Sequence, residues 1–184
     1  MQRHSFCGLL RLPQWVAITT IVCIGAFVLA APVVRCVSIS NRNLPQECVL
    51  SRAALAGFVI SYTHSVNKGR IHDFYACEGD ELVLYKTQFV SYGAGMPEAR
   101  ESDGFAVTTD GYVVNNVNRR LQQLVMAVGV TSEHSISINS SNGFNALSPA
   151  DEISFQTMFA PQTSLIFEIT RVSLCSYLCA RRIR

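Results

Sequence analysis

The segment from Tyr62 to Tyr75, YTHSVNKGRIHDFY, carries many side chains that could do chemistry. His64, His72 and Asp73 have the atoms that bind metals or exchange protons near neutral pH. Lys68 adds a cation that could hold an anionic ligand. Because buried strands rarely carry so many polar groups, the segment is either part of a site or a turn between two strands.

Two kinds of catalytic site can be considered for these residues: a serine–histidine pair, and a metal or histidine-based site. His64 and Ser65 are neighbours on an extended segment, so their side chains point to opposite faces and cannot form a nucleophile–base pair. A hairpin could instead bring His64, His134 and Asp73 together as a metal site or a histidine-based active site. The spacing of His64 and His72 matches no helical or tight-turn metal motif. The alternative is that His64 is a partly buried histidine held by a backbone carbonyl or a carboxylate.

Two loops carry further polar or conformationally special residues. Lys68 and Arg70 flank Gly69 in a predicted turn, where they form either a solvated loop or an electropositive rim suited to an anion. In SYGAGMP, from Ser91 to Pro97, the glycines allow positive φ and successive backbone amides that could hold an anion. Glycines of this kind also serve as a bulge or a corner, so both interpretations stay open.

The elements that would position these residues are almost all strands. Short runs rich in β-branched and aromatic residues alternate with turn signals such as Asp110-Gly111, a strong hairpin signal. The predicted strands are residues 58–66, 73–77, 81–90, 105–116 (a hairpin), 121–130, 134–138, 152–159 and 164–174. The pattern predicts a mainly β protein, a small antiparallel β sandwich or barrel preceded by one N-terminal transmembrane or signal helix.

The N-terminal segment predicts a signal or a membrane anchor. From Trp15 to Val34 there are twenty residues without a charge. At roughly 1.5 Å per residue they could cross a bilayer core of about 30 Å, and the same run fits a secretory signal. Arg3 and Arg11 before it favour an N-terminus in the cytoplasm. We expect an inner-membrane protein, single-pass with its domain on the periplasmic or extracellular side, or a periplasmic protein if the signal is cleaved.

The predicted organisation has three parts. Residues 1–35 are the signal or anchor, residues 36–164 an extracytoplasmic β domain, and residues 165–184 a last strand or a basic C-terminal tail. The middle part holds eight basic and twelve acidic residues. This acidic balance argues against nucleic-acid binding, which needs a basic face. The tail could also return to the membrane as a short helix, although Glu168 and Arg171 make a full span unfavourable.

The seven cysteines are an odd number. Cys36 is predicted to lie against the membrane, and Cys175 and Cys179 fall in the tail. In an exported domain Cys48 and Cys77 are therefore the expected disulfide pair. The alternative is that they are two small buried thiols.

Five blocks of sequence, in order, resemble one family of small bacterial proteins. THSVNK followed by Tyr75, then FVSYGAGMP, is similar to that family's histidine–serine–valine–glutamate–lysine run and its later aromatic–glycine–alanine–glycine–leucine–proline run. DGYVV, the NRR of Asn118 to Arg120 and the TSEH of Thr131 to His134 resemble its later blocks. The family is called domain of unknown function 1850, and the resemblance runs from about Phe58 to Phe159.

The chain departs from the family pattern in two places. Asn67 stands where the family has glutamate, and His72-Asp73 stands where it has acidic residues. A family role that needs a carboxylate in place of Asn67 is therefore not carried over.

The resemblance implies a small β domain with one N-terminal membrane segment or signal, and no established activity. Such proteins are often encoded beside the membrane subunits of TRAP-type transporters of the TAXI class, which take up organic acids. The leading hypothesis is a non-enzymatic accessory of such a transporter. Its expected partners are a TRAP/TAXI membrane subunit, the membrane through the N-terminal segment, and an organic anion, with no nucleic acid.

On this hypothesis one surface patch contacts the partner or an anionic substrate, without a catalytic residue, a metal ligand or a cofactor. The patch comprises His64, Ser65, Lys68, Arg70, Tyr92, Gly93, Gly95, Pro97, Arg119 and His134. One alternative is a histidine-based or metal-dependent enzyme that uses His64, His134 and Asp73. The other is a purely structural domain of the cell envelope.

Overall fold

Two β-sheets that share one apolar core dominate the part of the chain that the structure describes. The computed structural model describes residues 13–66, 68–90, 105–107, 113–138 and 152–183. The strands are β1 (Val34–Asn41), β2 (Cys48–Ser51), β3 (Phe58–Thr63), β4 (Arg70–Glu78), β5 (Glu81–Phe89), β6 (Phe105–Val107), β7 (Val113–Leu121), β8 (Gln123–Ala127), β9 (Ser135–Ile138), β10 (Ile153–Ser154), β11 (Ser164–Val172) and β12 (Arg181–Arg182). The helices are α1 (Gln14–Ala30) and α2 (Leu174–Cys179), with 3₁₀ turns at Ala53–Ala56 and Phe155–Thr157. The predicted mainly β class is confirmed.

The first sheet has the strand order β12-β2-β1-β11-β8, and the second has the order β10-β9-β3-β4-β5-β7-β6. The strand pairs are antiparallel except for β12 and β2, which are parallel. Only Gln122 separates β7 from β8, so the chain passes from the second sheet to the first at that residue. The two sheets are therefore joined at that residue, and residues of both contribute to one apolar core.

Aromatic rings from both sheets meet in the core. Phe58 of β3 stacks on Tyr75 of β4 at 5.2 Å between ring centroids and on Phe167 of β11 at 6.1 Å. Phe155 meets Phe167 edge-on at 5.7 Å. The same core holds the buried aliphatic side chains of Val37, Ile39, Val49, Ile60, Leu82, Val128, Ile136 and Leu165. Burial of each large side chain stabilises the fold by about 1.5–3 kcal/mol, so this cluster is what joins the two layers.

The region between the N-terminal helix and β3 differs from its prediction. β1 and β2 were not among the predicted strands, and β1 lies between β2 and β11. Cys36 therefore has no exposed surface and belongs to the first sheet, so its predicted position against the membrane is wrong.

The strand predicted at residues 152–159 is also shorter in the structure. β10 has two residues, because the Ser154 hydroxyl accepts the Gln156 N–H and starts a 3₁₀ turn.

The N-terminal helix is apolar around its whole circumference. α1 has seventeen residues, none of them charged, and none of its side chains is buried. Among the described residues, no helix combines the length and the apolar character needed to cross a membrane. The C-terminal segment forms α2, which the Ser173 hydroxyl caps by accepting the Ser176 N–H, and then β12.

Cys48 and Cys77, the predicted disulfide pair, are free thiols. The alternative of two small buried thiols is therefore met in part, because both cysteines are free but only partly buried. Cys77 lies near the end of β4 and donates to the carbonyl of Ala54 at 3.4 Å. Burial raises the pKa of its thiol to about 11.

Gly79 lies in the β4–β5 turn with φ of 56°, a conformation that glycine adopts without strain.

Candidate functional site

The segment YTHSVNKGRIHDFY forms β3, a turn and β4. In the turn the backbone N–H of His64 donates to the carbonyl of Gly69 at 2.9 Å, and the N–H of Lys68 donates to the carbonyl of His64 at 3.1 Å. Nδ1 of His64 also accepts from the N–H of Val66 at 3.3 Å. Lys68 has φ of 58°, and Ser65 and Lys68 are exposed. His64 thus helps to shape the hairpin turn.

Arg70, the first residue of β4, connects that strand to the start of β9, to the residue before β10 and to the turn before β9 through its guanidinium. Its Nη2 is ion-paired with the carboxylate of Glu152 and lies 2.6 Å from the hydroxyl of Ser135, while Nη1 donates to the carbonyl of Glu133 at 2.9 Å. The Ser135 hydroxyl donates to Glu152 at 2.6 Å. Arg70 and Glu152 expose 26% and 18% of their side chains, so water screens this pair only in part. We call Arg70, Ser135 and Glu152 the Arg70 cluster.

A row of polar side chains crosses the second sheet beside this cluster. In register, Ser61 of β3 lies between Ser135 of β9 and His72 of β4. The Ser61 hydroxyl is 2.8 Å from Nδ1 of His72, and both side chains are buried. Burial lowers the pKa of His72, Glu152 acts in the opposite direction, and Arg70 lowers it further. A serine–histidine pair can generate a nucleophile, but Ser61 has no exposed surface and cannot meet a substrate in this conformation.

A second polar group occupies the opposite face of β3 and β4. Tyr62 stacks on His134 at 5.5 Å between ring centroids, and Asp73 accepts from the Thr87 hydroxyl at 2.8 Å. Burial raises the pKa of Tyr62, and the nearby charge of Asp73 adds to this rise. Burial also raises the pKa of Asp73. The pKa of His134 is lowered by burial and by the positive charge of Arg70. These shifts favour the neutral forms of all three groups.

Several of the predicted patch residues lie at one end of the second sheet. The turn at His64 and Lys68 connects β3 to Arg70, and the N–H of Thr63 donates to the carbonyl of Ser132 at 2.7 Å. The latter contact places the turn before His134 beside the end of β3. We call this region the Arg70 end: it is where β3 and β5 end and where β4 and β9 begin.

Arg119 lies apart from this end. In the β5–β7 register Arg119 is opposite Leu84, and in the β4–β5 register Leu84 is opposite Tyr75. Tyr75 is five residues beyond Arg70 along β4. At about 3.4 Å per residue this separation is roughly 17 Å along the strand. The patch residues Tyr92, Gly93, Gly95 and Pro97 lie outside the described residues.

The enzymatic alternative required His64, His134 and Asp73 to converge. His134 and Asp73 both contact Tyr62, whereas Nδ1 of His64 accepts a hydrogen bond inside its own turn. Nδ1 of His134 accepts from the N–H of Gly129 at 3.1 Å. Within the described ranges, no group of three or more His, Cys, Asp or Glu side chains is arranged to hold a metal ion. An enzymatic role stays a prediction.

Sequence reasoning missed Ser61, Ser135 and Glu152. Ser135 had a usable signal, because Ser135 and Ser137 alternate with isoleucines in HSISI and so share one face of a strand. Glu152 had none, because it is 82 residues from Arg70 and the two meet only through tertiary structure.

Comparison with known proteins identifies one related family. The model of the family described as Domain of unknown function (DUF1850) matches residues 58–143. The match begins at the first residue of β3 and includes Arg70, His72 and His134, and it confirms the resemblance drawn from the sequence blocks. No curated protein and no solved structure matches the chain.

Proposed function

From the match of residues 58–143 to the DUF1850 family, we propose that this protein is a non-enzymatic accessory of a TRAP/TAXI-type organic-acid transporter. Helix α1 attaches the protein to the membrane, with the β domain on the extracytoplasmic side. The Arg70 end of the second sheet contacts the membrane subunit. The family resemblance supports the association with a transporter. The exposed surface of α1 supports attachment to the membrane, and the Arg70 end supports the contact with the membrane subunit.

The observation that carries the proposal is the surface of α1. Among its exposed side chains, Trp15 and Phe27 leave 70% and 74% of their surface uncovered, and Ile18, Ile21 and Ile24 each leave more than half uncovered. In water this much contiguous apolar surface is unfavourable by about 25 cal/mol per Å². A lipid bilayer, or the apolar surface of a membrane subunit, removes that cost.

The Arg70 end has the composition of a protein-binding surface. Val66 in the β3–β4 turn, Val90 after β5 and Val130 before the His134 turn expose 65%, 46% and 58% of their surface. Lys68 is exposed among them. Apolar side chains with a few charges at the rim are typical of specific protein interfaces.

Membrane attachment is tested by fractionation of the host cell. The wild-type chain is expected in the membrane pellet after alkaline carbonate washing, and the double variant Ile21→Lys/Phe27→Lys in the supernatant. A charged side chain placed in the apolar part of a bilayer is unfavourable, so two of them on α1 should release the chain. Leu44→Lys, in the loop after β1, is the matched control and should stay in the pellet. Release of the wild-type chain by carbonate would overturn the attachment.

The partner is tested by affinity purification of the tagged full chain from its native host in mild detergent. A large multi-span transporter subunit is expected by mass spectrometry. Val66→Asp/Val130→Asp should lose that subunit while keeping its membrane location, and Leu44→Asp should retain it. A membrane-bound chain that recovers no transporter subunit would contradict the accessory role and favour a structural domain of the cell envelope.

A further inference from the structure

A cavity of about 480 Å³ lies at the free edge of the first sheet. Its walls are formed by β2 and β12 of that sheet, and by β10 and the 3₁₀ turn that follows it. This volume falls within the roughly 300–1,000 Å³ typical of small-molecule sites. The cavity is therefore large enough for a small organic ligand.

One side of the cavity is apolar. Val49, Ile153, Met158 and Ile183 line it, and Val49 and Ile183 expose only 2% and 7% of their surface. Ile183 is held in place because its carbonyl accepts from the buried hydroxyl of Ser51 at 3.2 Å. The apolar part of a ligand placed here would cover this wall, while the open side of the cavity stays in contact with water.

The other side carries the guanidinium group of Arg181. Arg181 lies opposite Val49 in the β12–β2 register, and its Nη1 donates to the carbonyl of Met158 at 3.3 Å. Arg182 also lines the cavity, but it is the next residue of β12, so its side chain points to the other face of the strand. There its guanidinium stands 5.7 Å from the centre of the Tyr177 ring. In the described part of the chain Arg181 is not ion-paired with a carboxylate, and its exposed guanidinium gives the cavity a positive rim.

We propose that this cavity binds a small carboxylate that has an apolar body. The carboxylate accepts from Arg181, whose planar guanidinium group matches its geometry, and the apolar body lies against Val49, Met158 and Ile183. All of the residues that line the cavity lie outside residues 58–143, the segment that matches the family. None of them belongs to the predicted patch. It requires no transporter, so the purification result above does not bear on it.

Ligands that match only one side of the cavity should bind more weakly. A short polar anion such as acetate would contact the positive rim but leave the apolar wall uncovered. A neutral alcohol of the same length would cover the wall but leave the positive rim without an acceptor. Binding should therefore need both a carboxylate and an alkyl chain.

The test is a titration of the full chain in lipid nanodiscs with hexanoate, acetate and 1-hexanol. With methyl-labelled isoleucine, valine and methionine, hexanoate should shift the NMR signals of Met158, Ile153 and Ile183, and should leave the core residue Ile39 unmoved. Hexanoate should bind at least about 5-fold more tightly than either control ligand, as expected for a charge-assisted hydrogen bond at a partly exposed rim. Equal binding of 1-hexanol, or no shift with hexanoate, would overturn the proposal.

Variants locate the site. Arg181→Gln should weaken hexanoate binding by about 5-fold or more through the lost charge-assisted hydrogen bonds, whereas Arg182→Gln, on the other face of β12, should have a smaller effect. Thr157→Trp, at an exposed lining position, should block binding without touching the arginines. Arg171→Gln, an exposed arginine of β11 outside the cavity, is the control and should bind normally. Arg181→Lys keeps the charge and should bind more tightly than Arg181→Gln. If both Arg181→Gln and Thr157→Trp bind hexanoate as the wild type does, the site is wrong.

Discussion

The hydroxyl of Ser61 lies 2.8 Å from Nδ1 of His72 across the β3–β4 pair, and the two side chains expose 0% and 7% of their surface. A buried pair of this kind stabilises the sheet as long as both members are present. Removal of one member leaves the other without its hydrogen bond in a place that water does not reach.

Ser61→Ala should lower the free energy of unfolding by about 1–3 kcal/mol, because Nδ1 of His72 loses its buried partner. Ser137→Ala is the matched control. Ser137 lies on β9 at a similar depth, and within the part of the chain that the structure describes its buried hydroxyl has no hydrogen-bond partner. Removing that hydroxyl should be neutral or stabilising. Urea unfolding of both variants would measure the difference, and equal losses would contradict this role for Ser61.

Stability should fall as the pH is lowered below about 6.5, the ordinary pKa of histidine. The folded-state pKa of His72 is below that value, so the unfolded chain takes up the proton first. The stabilising contribution is complete above the unfolded pKa and is lost as the pH falls through the folded pKa. His134 is shifted in the same direction. Unfolding free energies between about pH 5 and 7 should fall less steeply in His72→Gln than in the wild type; an identical slope would contradict the assignment.

Arg70→Leu should cost about 2–3 kcal/mol, because Glu152 and Ser135 lose their charged partner in a half-buried place. Glu152→Leu should cost a similar amount. The double variant should cost less than the sum of the two, because it leaves no uncompensated charge. As a comparison, Arg120 is paired with Glu78 and Glu81 on the exposed surface, and the effect of Arg120→Leu should be small and should vanish in high salt. Additive costs for Arg70 and Glu152 would show that they do not act as a pair.

Gly129→Ala should move the ring of His134. A Cβ at this position would lie 2.9 Å from the Ser132 hydroxyl and 3.1 Å from Cε1 of His134, closer than ordinary contact. We expect a loss of about 1–3 kcal/mol from overpacking and a rise in the pKa of His134 toward its ordinary value, as the ring leaves its stack on Tyr62. NMR titration of the His134 ring would measure this rise. Gly25→Ala in α1, where a Cβ meets nothing within 4 Å, should leave the titration unchanged.

The thiols should divide into two classes of reactivity. Cys175 and Cys179 are exposed, whereas Cys36 is buried and burial raises its pKa. Cys77, with a pKa of about 11, has little thiolate at neutral pH. Iodoacetamide treatment of the native chain followed by peptide mass spectrometry should label Cys175 and Cys179 first. Rapid labelling of Cys36 would contradict its place in β1.

The predictable part of the fold is the part with local signals. Alternation in ELVLYKTQFV predicted β5, and Gly79 with Asp80 marked the turn before it. β1 was hidden because Val34 and Cys36 continue the apolar run of the helix, and nothing local separates a buried strand from the end of such a run. The two-residue β10 was predicted too long, as residues 152–159, for a different reason. Its strand pattern continues into Phe155, but a serine cap turns the chain there.

The candidate site shows the same limit. The residue types in YTHSVNKGRIHDFY pointed to Arg70 and His72, and both have polar partners in the structure. The partners themselves, Glu152 and Ser61, depend on strand register and on a contact between distant segments. The seven lining residues of the cavity come from three separate parts of the chain, so no spacing in the sequence could have indicated it.

The pairing of β1 with β11 determines when this protein can fold. Val34 is opposite Val172, so the centre of the first sheet joins residues 138 positions apart. Contacts between such distant residues slow folding, because a long loop must close before they stabilise anything. While the ribosome is still making the chain, β1 has no β11 to pair with, and its buried face, including Val37 and Ile39, stays uncovered. Folding of the first sheet therefore waits for the C-terminal residues, and a nascent chain stalled before β11 should be an obligate client of chaperones.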